Sequence, residues 1–355
     1  MTTDQMTATA TVPEAEWPAN EMETIGACPA CGTRDRELVH ERLRDTTFFV
    51  APGEWTMWRC AGCRSGYLDP RPTPDSIGRA YGRYYTHEDP TVPTGEDQSL
   101  RARLGNGYRN TRYGTQARHA HPLGHVVVAM IPPLARTNDF RFRFLDAPRR
   151  PGMSRRVLDV GCGAGAFLTQ AREAGWDASG VDFDPLAVEG ARKRGLNVTL
   201  GGIEAVADQK SAFDAVTMSH VIEHVYDPVG TLRTVHDLLR PGGTFYVETP
   251  NMDALGHVIY GPHWRGLEVP RHLTLFTRAG LHGFLRDVGF GDIRYRREPN
   301  AFKWTAMRSA RIAAGRDPSG DQTPDDVWPS RAQRLRAALT KRHVEFLTFT
   351  AKKAG

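Results

Sequence analysis

Three alternate glycines, Gly161, Gly163 and Gly165, follow the apolar run Val157-Leu158-Asp159-Val160 and open onto a helical pattern. Glycines at this spacing permit a tight turn and remove the Cβ atoms that would hold backbone away from a ligand, and the helix expected from about Ala164 presents unpaired N–H groups. The segment also satisfies the looser Gly-x-Gly-x-x-Ala dinucleotide pattern, so the ligand must be chosen from what surrounds the turn. Asp159 stands just before the first glycine, where a carboxylate can receive the ammonium of a methionine moiety and has nothing to offer a pyrophosphate. A second strand, Trp176 to Val181, ends in Asp182, at the ~20-residue offset where an acid meets ribose hydroxyls. The two acids favour S-adenosylmethionine (SAM) over a nicotinamide dinucleotide.

Four of the five cysteines form two Cys-x-x-Cys pairs, Cys28 with Cys31 and Cys60 with Cys63. Two knuckles giving two thiolates each match the tetrahedral preference of zinc, and Pro29, Gly32 and Gly62 suit the knuckle turns. Two disulfides and a thioredoxin-like redox pair are the competing readings; the ribbon spacing and an N-terminus without signal-peptide character favour a structural zinc. Cys162, inside the glycine turn, is expected there for its small size. Three histidines, His220, His224 and His272, are candidate general bases, since imidazole titrates at about 6.5. His220, Glu223 and His224 also share one face of a helical turn and form an alternative cation site.

The elements that must position these groups follow from periodicity. Short apolar strands alternate with helical patterns: Phe167, Leu168, Ala171 and Ala174 before Gly175; Asp184-Pro185 opening a second helix; Val229, Leu232, Val235 and Leu239; and Thr277 capping a helix closed by Gly289. This alternation predicts an α/β fold, a Rossmann-like, seven-stranded, mostly parallel sheet with helices on both faces, preceded by a small zinc-ribbon module with strands at Arg36 to Asp45 and Trp55 to Arg59. In such sheets ligands lie beyond the carboxyl ends of the strands. The expected SAM contacts are therefore Asp159, Gly161, Cys162, Gly163 and Gly165, then Asp182 and Phe183, Ile203 and Glu204, and Ser219 with His220. The domain reading is a disordered leader (1–22), the ribbon (23–74), a helical linker or lid (75–150) and the SAM-binding domain (151–355). Within the linker a short helix is expected through Tyr85 and a loop over Asp89 to Gly95; loop and helix are expected over 317–342.

The 355 residues, 40% hydrophobic and 25% charged, have the composition of a globular chain, and the formal charge of +5 is mild. Basic runs such as Arg141-Phe142-Arg143 and Arg192-Lys193-Arg194 are expected on solvated faces, which makes nucleic acid an improbable partner. No apolar run approaches the ~18 residues of a membrane span, and a cytoplasmic location is expected.

From Val157 onward the chain resembles class I SAM-dependent methyltransferases. Phe213-Asp214-Ala215-Val216 is similar to their fourth strand, Ser219-His220-Val221-Ile222-Glu223-His224-Val225 to the segment after it, and Leu238-Leu239-Arg240-Pro241-Gly242-Gly243 to their Pro-Gly-Gly turn. Pro270-Arg271-His272-Leu273 resembles a loop that lies over the substrate region in related enzymes, which makes His272 the favoured base. The run from Arg59 through Pro74 resembles bacterial methyltransferases of glycan and specialised-metabolite pathways, and quinone O-methyltransferases carry an acidic-His segment associated with a divalent cation where this chain has Glu223-His224. The resemblance implies methyl transfer from SAM to a small hydroxylated metabolite or sugar, at oxygen. Carbon methylation of a nucleotide-linked sugar, an NAD(P)-dependent oxidoreductase and a zinc-ribbon RNA-binding or RNA-modifying protein are the alternatives. Oligomeric state is not legible.

Overall fold

Around the cysteines the chain folds as short antiparallel ladders. β1 (Met22–Glu23) pairs with β5 (Arg71–Pro72), while β2 (Arg36–Leu43), β3 (Trp55–Cys60) and β4 (Gly66–Leu68) form a meander. The computed structural model describes residues 13, 15–82, 99–146, 155–298, 301–320, 326–340 and 343–355. Most of the expected leader lies outside these residues, but its last part belongs to the ribbon. Trp17 is 5% exposed and sits edge-on to Trp55, with ring centroids 5.5 Å apart. Trp17 thereby joins Leu43, Ala51, Met57 and Leu68 in one buried apolar cluster. After Pro72 the expected helix is, in its described part, a single 3-10 turn at Ile77–Tyr81; Tyr84, Tyr85 and the loop 89–95 lie outside the described residues.

Three helices follow, α1 (Leu100–Tyr113), α2 (Gly124–Ala129) and α3 (Pro132–Arg141). Tyr108, Tyr113, Val128 and Phe142 are buried in one cluster with Val157, Phe167 and Trp176, so these helices form a layer against the sheet. The core then runs β6 (Arg155–Val160), α4 (Ala166–Glu173), β7 (Trp176–Asp182), α5 (Pro185–Lys193), β8 (Asn197–Leu200), β9 (Phe213–Ser219), α6 (Pro228–Leu238), β10 (Leu239–Pro250), α7 (Leu255–Tyr260), β11 (Thr274–Leu275), α8 (Arg278–Val288), β12 (Phe290–Arg296), α9 (Ala301–Ala313), α10 (Arg331–Leu339) and β13 (Phe346–Lys353). The caps read from sequence are present: Asp184 accepts from the N–H of Leu186 before Pro185, Thr277 accepts from Gly280, and Gly289 ends α8 at φ 110°.

The main sheet has the order β12-β13-β10-β9-β6-β7-β8. β13 runs antiparallel to both its neighbours, and the other ladders are parallel. The chain leaves β6 for β7 on one side and later returns to β9 on the other, so the crevice beyond the carboxyl ends of β6 and β9 is the topological switch point where ligands bind in open α/β sheets.

The ribbon is not a separate module. β11, a product of the core, pairs antiparallel with β4 and completes a four-stranded sheet of order β11-β4-β3-β2. Just before β11, Arg271 makes a bidentate pair with Asp45 at 3.0 and 2.7 Å and donates from Nε to the Ala80 carbonyl at 2.7 Å. Both side chains of the pair are fully buried, at 0% exposure. Asp45 also accepts from the backbone N–H groups of Phe48, Val50 and Ala51 at 3.0 to 3.1 Å. Burial pushes the Asp45 carboxyl up, but Arg271 and these N–H groups outweigh it and hold the group below its ordinary value.

Removing one partner leaves a buried, uncompensated charge, so Asp45→Ala is expected to cost about 3 to 5 kcal/mol in urea unfolding, and Asp45→Ala/Arg271→Met to recover part of it. Because the Asp45 carboxyl titrates lower in the folded chain than in the unfolded one, its stabilisation is complete above pH ~4 and is lost as pH falls further. Wild type and the Asp45→Ala variant should therefore converge in stability on acidification.

Candidate active site

The glycine turn needs its residue types. Gly161 and Gly165 hold φ of 68° and 84°, and a Cβ would lie 2.3 Å from Val221 Cγ2 at the first and 2.3 Å from Leu196 Cδ1 at the second. The turn is tied to the next strand: the Gly161 and Cys162 N–H groups donate to the Val181 carbonyl at 2.9 and 3.1 Å, and that of Gly163 to Asp182 Oδ2 at 2.6 Å. Asp182 is 4% exposed, and its other oxygen accepts from the Asp184 N–H at 3.0 Å. Cys162 is 8% exposed; its sulfur packs where a Cβ on Gly180 would lie only 2.6 Å away, and burial pushes its thiol up. It is a small filler, not an activated nucleophile.

Asp159 is more enclosed than the sequence implies. At 1% exposure it is bound by the guanidinium of Arg143 and by Thr217 Oγ1 at 2.8 Å, and Arg143 also donates to Thr217 at 2.7 Å. The guanidinium lies 3.8 Å from the Phe167 ring centre. Burial pushes the Asp159 carboxyl up despite Arg143 and Thr217. Arg143 was expected on a solvated face; a left-handed turn, with φ of 49° at Arg143 and 57° at Phe144, sends it inward instead. Nothing in the local sequence marks that turn.

Beyond the other strands, Phe183 is 54% exposed with its ring 5.0 Å from that of Tyr81. Ile203 is buried in a 3-10 turn, and Glu204 is exposed and accepts from the Gly202 N–H at 2.8 Å. Ser219 donates to Glu248 at 3.4 Å.

The three histidines are separated by their surroundings. His220, in the left-handed region at φ 55°, has Nδ1 3.3 Å from Glu223 and Nε2 3.5 Å from Glu248. Burial lowers its pKa, but the two carboxylates outweigh burial and hold the imidazolium well above its ordinary value. Both ring nitrogens of His220 thus face carboxylates, an arrangement that favours the charged ring. His272 is 4% exposed, donates from Nδ1 to the Gly266 carbonyl at 2.8 Å, and is drawn down to about 4 by burial. It is neutral but deep. His224 is half-buried, its Nδ1 3.0 Å from the Arg271 carbonyl and 3.1 Å from the Tyr81 hydroxyl, and its ring 4.8 Å from that of His272. Donation to the carbonyl fixes the Nδ1–H tautomer and makes Nε2 the basic atom. The cation set expected at His220, Glu223 and His224 is regrouped: ligand atoms of Glu223, His224 and His272 lie within 4.8 Å of one another, because the Leu273 and Thr274 N–H groups bond the Glu223 carbonyl at 2.7 and 3.1 Å and draw the loop in.

In the ribbon, the four sulfurs of Cys28, Cys31, Cys60 and Cys63 also lie within 4.8 Å of one another, with Cys28 and Cys63 3.6 Å apart and Cys31 and Cys60 3.4 Å apart. No pair is a disulfide. Thiolates at ~2.3 Å from a tetrahedral ion are about 3.8 Å apart, so the cluster has the size zinc requires.

A family model described as a methyltransferase domain matches residues 134–294. The ubiquinone biosynthesis O-methyltransferase of Xanthomonas axonopodis pv. citri is 31% identical over 170 residues, which cover 44% of this chain and 71% of that protein. The enzyme of the same name from Methylocella silvestris is 34% identical over 188 residues, covering 46% and 73%. The chain belongs to the SAM-dependent methyltransferase family. A solved SAM-dependent methyltransferase from Archaeoglobus fulgidus is 21% identical and superposes with a TM-score of 0.42 over 62% of this chain and 93% of its own. Among the described residues no helix is long and apolar enough to cross a membrane.

Gly165→Ala combines a left-handed backbone with a clash against Leu196 and is expected to destabilise the fold by about 1 to 3 kcal/mol. Thermal unfolding should register this as a lowered midpoint, whereas Gly190→Ala, inside α5 with open space at its Cβ, should raise the midpoint slightly.

Proposed function

We propose that this enzyme methylates a hydroxyl oxygen of a small-molecule acceptor, with His224 as general base. The observation that carries the reading is the fixed tautomer of His224, held by the Arg271 carbonyl next to Tyr81, which packs on Phe183 beyond β7. The O-methyltransferase names of the two relatives support oxygen as the atom modified.

When bound, SAM supplies a methyl carbon that leaves as its bond electrons return to sulfur, so the leaving thioether needs no proton. The residues of the chain then have to hold both ends of the cofactor and manage one proton on the acceptor. Arg143 and Asp159 form an ion pair complementary to the carboxylate and ammonium of a methionine zwitterion. Asp182 takes the ribose hydroxyls, Phe183 the adenine face, and Ile203 with Glu204 the adenine edge. His224 Nε2 accepts the acceptor's proton as its oxygen bonds the methyl carbon. His220, as an imidazolium between Glu223 and Glu248, orients charge at the mouth, and His272 positions His224. Calorimetry should show micromolar SAM binding to wild type, weakened at least about tenfold by Arg143→Ala. His224→Asn should keep that binding and lose about two to four decades of kcat with a hydroxyl acceptor. Undiminished turnover in His224→Asn would refute the assignment of the base.

A second reading is favoured by the grouping of Glu223, His224 and His272: two imidazoles and a carboxylate are a donor set for a divalent transition metal. Separately, the four cysteines hold a structural zinc. Metal analysis of wild type should give about one zinc per chain, lost in Cys60→Ser together with cooperative unfolding. A second equivalent in wild type that disappears in His272→Ala, while the cysteine-bound zinc and the cooperative transition remain, would establish the metal reading over the base.

A further inference from the structure

At the amino-terminal ends of the parallel strands, opposite the switch-point crevice, lies a cavity of about 530 Å³. Arg155, the first residue of β6, and Trp176, the first of β7, line it together with Lys352 on β13 and Arg296 on β12. Five cations and three carboxylates face it, and the carboxylates are already engaged. Asp146 pairs with Arg112 at 2.7 Å and Asp292 with Arg294 at 2.8 Å, while Asp139 accepts from the Tyr108 hydroxyl at 2.8 Å and from that of Tyr113. Arg155, Arg296 and Lys352 have no carboxylate partner among the described residues. The Arg155 guanidinium lies 4.6 Å from the Trp176 ring centre, Arg296 donates to Thr350 at 3.0 Å and lies 4.6 Å from the Phe144 ring centre, and Lys352 donates to Thr244 at 2.7 Å.

We propose that this cavity binds a phosphorylated small molecule, its phosphates on Lys352 and on Arg155 and Arg296, which are held over the Trp176 and Phe144 rings. The volume falls in the range of small-molecule sites, and the lining joins aromatic faces to a few convergent polar groups, which is how such sites are built. Guanidinium and ammonium donors without carboxylate partners recognise phosphate oxygens through charge-assisted hydrogen bonds. Burial and then Arg155 depress the Lys352 ammonium against the opposing pull of Asp146 and Asp292, and burial and then Arg294 depress the Arg296 guanidinium against that of Asp139 and Asp292. Phe144 in the wall directly follows Arg143, whose guanidinium holds Asp159 in the crevice, so the two sites are one residue apart in the chain.

Pyrophosphate titrated by calorimetry into the full chain, previously saturated with S-adenosylhomocysteine to fill the cofactor site, is the test. Saturable, salt-sensitive binding is expected, weakened at least about tenfold in Arg155→Ala/Lys352→Ala and in the separate variant Arg296→Gln, with S-adenosylhomocysteine affinity unchanged in both. Absence of saturable binding at about 1 mM pyrophosphate, or equal binding by wild type and both variants, would overturn the proposal. Failure of S-adenosylhomocysteine itself to bind would instead count against the cofactor reading, and pyrophosphate titrated alone would then decide the cavity.

Discussion

A fully buried pair of charges, Asp45 and Arg271, is the constraint on which the active-site architecture depends. Taking both out of water is costly, and the cost is offset only because the carboxylate also receives backbone N–H groups and the guanidinium also reaches the Ala80 carbonyl. That demand fixes the relation between the ribbon and the loop before β11. The same loop supplies His272, lends the Arg271 carbonyl to His224, and returns to Glu223 through the Leu273 and Thr274 N–H groups. The cysteine-rich ribbon thereby helps to determine where the histidines stand.

On the cofactor side the equivalent role falls to Asp182 and Asp159, which do different work although both end parallel strands. Asp182 holds the Gly163 N–H and so shapes the turn. Asp159 is enclosed with Arg143 and Thr217, so any ammonium that reaches it enters an electrostatic arrangement already occupied by a cation. An ion pair of this kind fits a zwitterion, which brings one charge of each sign, better than it fits a simple cation.

The histidines show how environment assigns roles to identical side chains. Two carboxylates favour the charged form of His220, burial favours the neutral form of His272, and a carbonyl fixes the tautomer of the half-buried His224. The sequence favoured His272 among the three by resemblance, and the neighbours from β10, the ribbon arm and the loop before β11 point instead to His224.

The alternation of strand and helix patterns, the glycine turn, the caps at Asp184 and Thr277 and the two cysteine knuckles were all legible in the chain itself, because each depends on backbone conformation or on ligand spacing within a few residues. Tertiary structure alone decided that Trp17 belongs to the ribbon, that Arg143 turns inward to Asp159, that β11 crosses into the ribbon sheet, and that His272 joins Glu223 and His224 as a prospective cation set. Each of these joins residues far apart in sequence, and what selects them is the need to cover an open apolar face or to pair a buried charge. Local periodicity carries no record of either demand.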